Sequence, residues 1–293
     1  MSKRLILMAA AAMALAVVLW LILATSTAPT RPPGPDLNAL LGNPTGFEPV
    51  AGPWNYRFPA DHGPHPGFHT ENWYFTGHLQ ATAGRSFAFQ LLLTRVGLKP
   101  GRPDRPSAWA SHRLWRGQLV VTDLAAGRVY AFERFSRAAL GLAGAKTRPL
   151  RVWLEDWTLS AGQEGSLQLS AGQGPVAVEL TLDLLKPPAR SAGPVGPFYG
   201  YAASRLAVRG TLNLAGRSWP VTGLAWLDRA WGALPLGGGA VARDRLLLQL
   251  DDGRELALSR LRRRDGSRPP IDTGMLIAAD GSITVLERSQ LEL

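Results

Sequence analysis

Most of this chain is written as short runs of alternating apolar and polar residues, separated by tight turns that contain glycine. Runs at 206–214 and 219–228 bracket Ala215-Gly216, runs at 246–251 and 254–261 bracket Asp252-Gly253, and runs at 275–279 and 283–286 bracket Asp280-Gly281. Two-residue hairpin turns need positive φ at their central residues, which Asp-Gly and Ala-Gly pairs supply through glycine. Helical periodicity is nearly absent, so the pattern predicts consecutive antiparallel hairpins, an all-β chain of sheets or up-and-down barrels.

The first hairpin carries the most detail. Asp61-His62-Gly63-Pro64-His65-Pro66-Gly67-Phe68-His69 begins as a loop, because its prolines and glycines oppose helix. Thr70-Glu71-Asn72-Trp73-Tyr74-Phe75-Thr76-Gly77 then alternates. Glu71, Trp73 and Phe75 fall on one face and Asn72, Tyr74 and Thr76 on the other. Closing the hairpin over Thr82-Ala83-Gly84, with Gly84 left-handed, sets a register. Phe75 then faces Leu91, Trp73 faces Leu93, Gly77 faces Phe89, and Glu71 faces Arg95. A slip by one residue would invert both faces.

Further strands are expected at 115–122 and 128–135 around Ala125-Ala126-Gly127, at 152–160, at 166–170 and at 176–185. Residues 137–143 are read as one helical turn. The breaker-rich stretch from Lys186-Pro187-Pro188 to Pro197 is the expected boundary, giving a first β domain at 53–190 and a second at 191–293.

Composition excludes several classes. There are no cysteines, so disulfides, a lipoprotein anchor and cysteine-bound zinc are excluded. The net charge of +10 comes almost wholly from arginine. Its one dense run, at 260–264, has no interleaved aromatics to stack on bases, so nucleic acid is not an expected partner. No Gly-rich phosphate loop, Gly-x-Ser-x-Gly elbow or cysteine nucleophile is present.

At the N-terminus, Lys3 and Arg4 precede an uninterrupted apolar run at 5–24. That is the pattern of a signal peptide or signal anchor, and its length suits a membrane-spanning hydrophobic helix of about 20 residues. Residues 1–28 are read as that segment and 29–52 as a Pro- and Gly-rich linker. The positive end should stay inside. The rest would then face the periplasmic or other extracytoplasmic side of the inner membrane, anchored or secreted.

The segments Pro59-Ala60-Asp61-His62-Gly63-Pro64-His65 and Thr70 to Gly77 resemble the opening signature of the lipocalin-like AttH family, which includes carotenoid 1,2-hydratases (hydroxyneurosporene synthases). Val152-Trp153-Leu154-Glu155-Asp156-Trp157, Gly223-Leu224-Ala225-Trp226-Leu227-Asp228-Arg229-Ala230-Trp231-Gly232 and Gln249-Leu250-Asp251-Asp252-Gly253-Arg254-Glu255-Leu256 fit it as well. The resemblance covers most of residues 56–293. It implies two lipocalin-like antiparallel β-barrels in tandem. The chain departs where relatives usually have a second Trp (here Asn72) and a Glu (here Ala230), and a Trp-rich strand is replaced by residues 237–244. Relatives usually continue beyond the point matching Leu293, so the second barrel is expected to be shortened.

A hydratase of this family must protonate an alkene carbon, which needs a positioned acid in an apolar setting. The resemblance puts that role on Asp228, a candidate proton donor two positions from Trp226 and so on its strand face. Glu71 with Arg95 is a weaker catalytic pair and more simply a buried ion pair. His62, His65 and His69 are expected to order a loop at a barrel mouth. They have no recognised ligand spacing, so neither a metal nor any other cofactor is expected. Trp73, Phe75, Trp226 and Trp231 are candidate ligand-lining residues.

The leading expectation is a carrier of a hydrophobic or amphipathic small molecule, a lipid or isoprenoid, serving an envelope ABC transporter permease. A hydro-lyase using Asp228 and a non-catalytic scaffold for a transporter are the alternatives.

Overall fold

The computed structural model describes residues 45–101, 106–190, 198–233, 240–263, 273–286 and 290. The expected N-terminal hydrophobic helix lies outside these residues. The fold is all-β, with 3-10 turns at Ala60–His62, Thr82–Gly84 and Gln163–Gly165.

In chain order the strands are β1 (Thr70–Ala81), β2 (Ser86–Gly97), β3 (Arg113–Asp123), β4 (Arg128–Arg137), β5 (Ala143–Thr147), β6 (Leu150–Leu154), β7 (Trp157–Ala161), β8 (Leu167–Gln173), β9 (Val176–Leu184) and β10 (Ala189–Arg190). They continue with β11 (Phe198–Leu214), β12 (Arg217–Gly232), β13 (Ala240–Gln249), β14 (Glu255–Arg263), β15 (Thr273–Ile277) and β16 (Ile283–Leu286). The order β4-β3-β2-β1-β12-β11-β9-β8-β7-β6-β5, with β10 beside β11, makes a 12-stranded sheet, and β13-β14-β15-β16 makes a 4-stranded one.

The large sheet curls into a nearly closed antiparallel barrel whose free edges are β4 and β5. Arg134 on β4 reaches across: it donates to the Gly172 carbonyl at 2.9 Å, pairs with Asp156 in the β6–β7 turn, and lies 4.7 Å from the Trp157 ring. The first hairpin has the expected register. Glu71 faces Arg95, Trp73 faces Leu93, Phe75 faces Leu91 and Gly77 faces Phe89. Gly84 holds φ at +76° in the turn, as the three-residue loop requires.

Two local expectations fail. Residues 137–143 form no helical turn; β4 runs to Arg137 and a turn leads into β5. The run at 152–160 is two strands, β6 and β7, folded back at Glu155-Asp156, where Glu155 takes φ +57°. Only two residues, Glu155-Asp156, separate the two alternating halves, so the run reads as one strand.

The two sheets also do not divide near residue 190. β12 pairs with β1 over the whole length of β1, from Thr70 opposite Gly232 to Ala81 opposite Val221. β11 bridges β12 and β9. Both strands therefore belong to the first sheet, which ends at Gly232. The inner side of β1 is all apolar or ion-paired, so it needs ladders on both edges to bury its backbone groups.

Inside the barrel, Trp73, Phe75, Leu79, Phe87, Leu91, Leu93, Leu119, Trp157 and Trp231 are all fully buried. They belong to one continuous apolar cluster. A smaller cluster, with Ala202 and Trp226 from the barrel and Ala257 and Ile277 from the second sheet, forms the junction between the sheets.

A β-bulge prepares that junction. Ala203 pairs with Leu227 and Leu206 with Ala225, so Ser204 and Arg205 together oppose Trp226. The β13–β14 hairpin docks there through two facing residues, Gln249 and Glu255. The Gln249 amide donates to the carbonyls of Ser204 (2.7 Å) and Ala225 (3.0 Å). The buried Glu255 carboxylate accepts from Ser204 (2.9 Å), Arg205 (2.7 Å) and Lys186 (2.8 Å).

Glu255→Ala would leave Lys186 buried without its counter-charge. We predict a loss of about 3–5 kcal/mol, a fall in Tm of about 10 °C for a protein of this size. A melting curve coincident with wild type would show that the junction does not depend on this carboxylate.

Candidate functional site

Alternation along β12 sorts the predicted site residues into two compartments. Arg229 and Trp231 point into the barrel with Glu71, Trp73 and Phe75, whereas Trp226 and Asp228 point out toward the second sheet. Trp226 and Trp231 therefore cannot line one cavity, which corrects their grouping; five positions apart on a strand, they lie on opposite faces.

The inner compartment closes one end of the barrel. Glu71 is fully buried. Its Oε2 accepts from Arg95 Nε at 3.2 Å, and its Oε1 accepts from Arg229 Nη2 at 2.7 Å and from His65 Nδ1 at 2.9 Å. His65 Nε2 reaches Asp61 Oδ1 at 3.0 Å. The imidazole lies flat on Trp231, 3.8 Å between centroids with planes 6° apart.

The remaining guanidinium donors hold the loop in place. Arg95 Nη2 donates to the carbonyls of His65 and Phe68, and Arg229 Nη2 donates to that of Gly63. Trp73 Nε1 donates to the His62 carbonyl at 2.9 Å. Tyr201 O–H donates to His62 Nδ1 at 2.5 Å, and His69 packs against Phe47 with centroids 4.9 Å apart. The three histidines thus take three separate surroundings. Arg95 and these histidines contact the loop and the residues around it.

Burial raises the Glu71 carboxyl, but Arg229, the His65 hydrogen bond and Arg95 outweigh it and bring the pKa down to about 2. Burial, reinforced by the Arg229 charge and opposed by Asp61, pushes His62 down to about 4. Burial also drives the Tyr201 phenol well above its ordinary range, so it remains a donor.

Trp73, Phe75 and Trp231 expose none of their surface, which leaves no water-sized space against them. In this structure they are barrel core. The outer compartment differs. Asp228 pairs with Arg245, with side-chain exposures of 13% and 33%. Tyr74 stands directly opposite Asp228, and Asn72 opposite Ala230. Trp226 is 2% exposed, and its Nε1 has no acceptor among the described residues. Leu247, Met275 and Ile283 of the second sheet are partly buried against the cluster that contains it. Asn72 and Ala230 are therefore cross-strand partners on the face that carries Tyr74 and Asp228.

Sequence reasoning missed Arg229, Asp61 and Tyr201 as members of the inner network. Arg229 had a usable signal: it shares parity with Trp231, opposite to Asp228. Asp61 and Tyr201 reach the network through loop closure and the pairing of β11 with β12, which no local pattern reveals.

The linkage sign follows from the shifts. Unfolded, His62 titrates near 6.5, and in the native state it resists protonation down to about 4. Between those values the unfolded chain binds more protons, so stability falls as pH drops from about 6.5 to 4, by about 3 kcal/mol from this group. The Glu71 contribution is intact above 4.5 and is lost toward about 2. Urea unfolding of wild type and His62→Gln at pH 7 and pH 4.5 should show a shallower pH dependence in the variant. Parallel profiles would mean that His62 is not held neutral.

The AttH-like family model matches residues 49–293. A crystal structure assigned to AttH from Nitrosomonas europaea matches with a TM-score of 0.73 and 29% identity, covering 83% of this chain and 76% of that one. Kievitone hydratase from Nectria haematococca matches with a TM-score of 0.57 and 12% identity, covering 82% of this chain and 72% of its own, a likeness of fold. A search of curated proteins gives no match. With the family model spanning most of the chain, and a lipocalin-like barrel that carries its motifs at the barrel end and the sheet junction, this protein belongs to the AttH-like family.

Proposed function

We propose that this protein binds a hydrophobic or amphipathic small molecule, a lipid or isoprenoid, at the junction between its two sheets. The observation that carries this reading is the outer face of β12. Trp226 offers a buried indole with a free N–H, Asp228 and Arg245 form a partly exposed polar rim, and half-buried apolar side chains of the second sheet face them. An apolar wall with a few polar groups at its edge is the usual make-up of a small-molecule site. Trp73, Phe75 and Trp231 are wholly enclosed in the barrel core.

In this reading the four-stranded sheet is a shortened second lipocalin-like barrel that covers the ligand. The N-terminal apolar run holds the protein on the extracytoplasmic side of the inner membrane, where an ABC transporter permease is the partner that supplies or receives the ligand.

The hydro-lyase reading, with Asp228 as proton donor, draws on the fold shared with kievitone hydratase. Against it, Asp228 is engaged in an ion pair with Arg245, which occupies the carboxyl that this reading needs facing the alkene.

The readings separate by mutation. Trp226→Ala should weaken uptake of a fluorescent polyene lipid by about tenfold, while Asp228→Asn should leave it within about threefold. Hydration of an isoprenoid alkene that disappears in Asp228→Asn would replace the carrier with an enzyme. Indifference to both substitutions in a folded protein would leave the scaffold.

A further inference from the structure

The outer face of β5–β9, remote in function from both compartments, presents a built polar groove. Two rows of side chains cross it. Thr158, Ser170 and Glu179 are successive cross-strand partners, as are Ser160, Gln168 and Thr181. These six side chains line an open groove of about 340 Å³, at the small end of the range for ligand sites, about 300–1,000 Å³.

The rows continue into an aromatic and two cations. Trp153 pairs with Thr158, and Arg151 pairs with Ser160. Lys146 pairs in turn with Arg151. The Trp153 ring lies over Gly144, where a Cβ would come within 2.4 Å of the ring, so glycine is required beneath it. Its Nε1 is fixed on the Gly141 carbonyl at 2.8 Å. Arg151 and Lys146 rest 5.1 Å and 5.8 Å from the ring centroid. Among the described residues, neither cation has a carboxylate partner. The face spans five strands, about 19 Å at the usual strand spacing.

We infer that this face binds an acidic saccharide chain, the groove taking its hydroxyls and Arg151 and Lys146 taking its carboxylates. Ser, Thr and Gln side chains both donate and accept, which matches a ligand whose hydroxyls do the same. Glu179 accepts from further hydroxyls. The fixed indole offers a flat apolar surface to the C–H face of a sugar ring. Two cations without a carboxylate partner among the described residues stand beside it and select an anionic sugar over a neutral one. Nucleic acid fits worse, because it would bring phosphates against Glu179 and find one aromatic where a stacking surface needs several. This site is independent of the sheet junction and of whatever binds there.

The test is calorimetric titration of the full chain in detergent with tetragalacturonate and with neutral cellotetraose. The acidic oligomer should bind at least about tenfold more tightly than the neutral one, and less so as salt rises. Lys146→Gln/Arg151→Gln should remove that preference. Gln168→Ala/Ser170→Ala should weaken binding of either sugar. These side chains are exposed or half-buried, and an unchanged Tm checks that each variant folds. Equal binding of the two oligomers would overturn the acidic class. Absence of binding by both, or affinity untouched by either double substitution, would overturn the site.

Discussion

Glu71 places one buried negative charge between two strands that each answer it with an arginine. Arg95 stands directly across on β2, and Arg229 comes from β12, one cross-strand pair along on the other side. A slip of β2 or β12 by a single residue would turn its arginine to the opposite face and strand the carboxylate in an apolar interior. Uncompensated burial of that kind costs several kcal/mol, far more than one lost ladder hydrogen bond. The charge cluster therefore specifies three central strands at once, joining residues 71 and 229 across most of the barrel's sequence. The same guanidinium groups hold the carbonyls of Gly63, His65 and Phe68, so loop order and strand register share one cause.

A second buried carboxylate repeats this device at the sheet junction. Glu255 is answered by Lys186 and Arg205, and the bulge at Ser204-Arg205 brings both a hydroxyl and a guanidinium to it. The bulge also reverses parity along β11: Tyr199 and Tyr201 face inward before it, Leu206 and Val208 after it. Strand β12 crosses the same region without a break. Its two faces serve different tasks, the inner one completing the Glu71 cluster and the outer one presenting Trp226 and Asp228 to the second sheet.

Much of the fold was legible where local chemistry decides it. The β1–β2 register followed from Thr82-Ala83-Gly84 and from alternation, and the Ala-Gly and Asp-Gly hairpins appeared at their turns. The all-β class and the AttH-like resemblance were legible too. The β6–β7 turn was hidden because Glu155-Asp156 interrupts alternation by too little to be noticed. The membership of β11 and β12 in the first sheet was hidden for a different reason. Pairing between β1 and β12 joins segments about 150 residues apart, and the proline-rich stretch at 186–197 reads as a boundary whether or not the sheet continues beyond it. The Glu71–Arg95 pair could be read from register alone. Arg229, His65 and Asp61 joined it through tertiary closure, and Asp228 parted from it by parity.

The most direct test of this account is a double-mutant cycle on Glu71 and Arg229, with Glu71→Gln, Arg229→Gln and the double variant unfolded in urea at pH 7. If one carboxylate locks β1 to β12, each single substitution should cost about 3–5 kcal/mol, and the pair should show a coupling energy of about 2–3 kcal/mol. Additive losses, with coupling near zero, would mean that backbone pairing and apolar packing set the register and that the buried charges only accompany it.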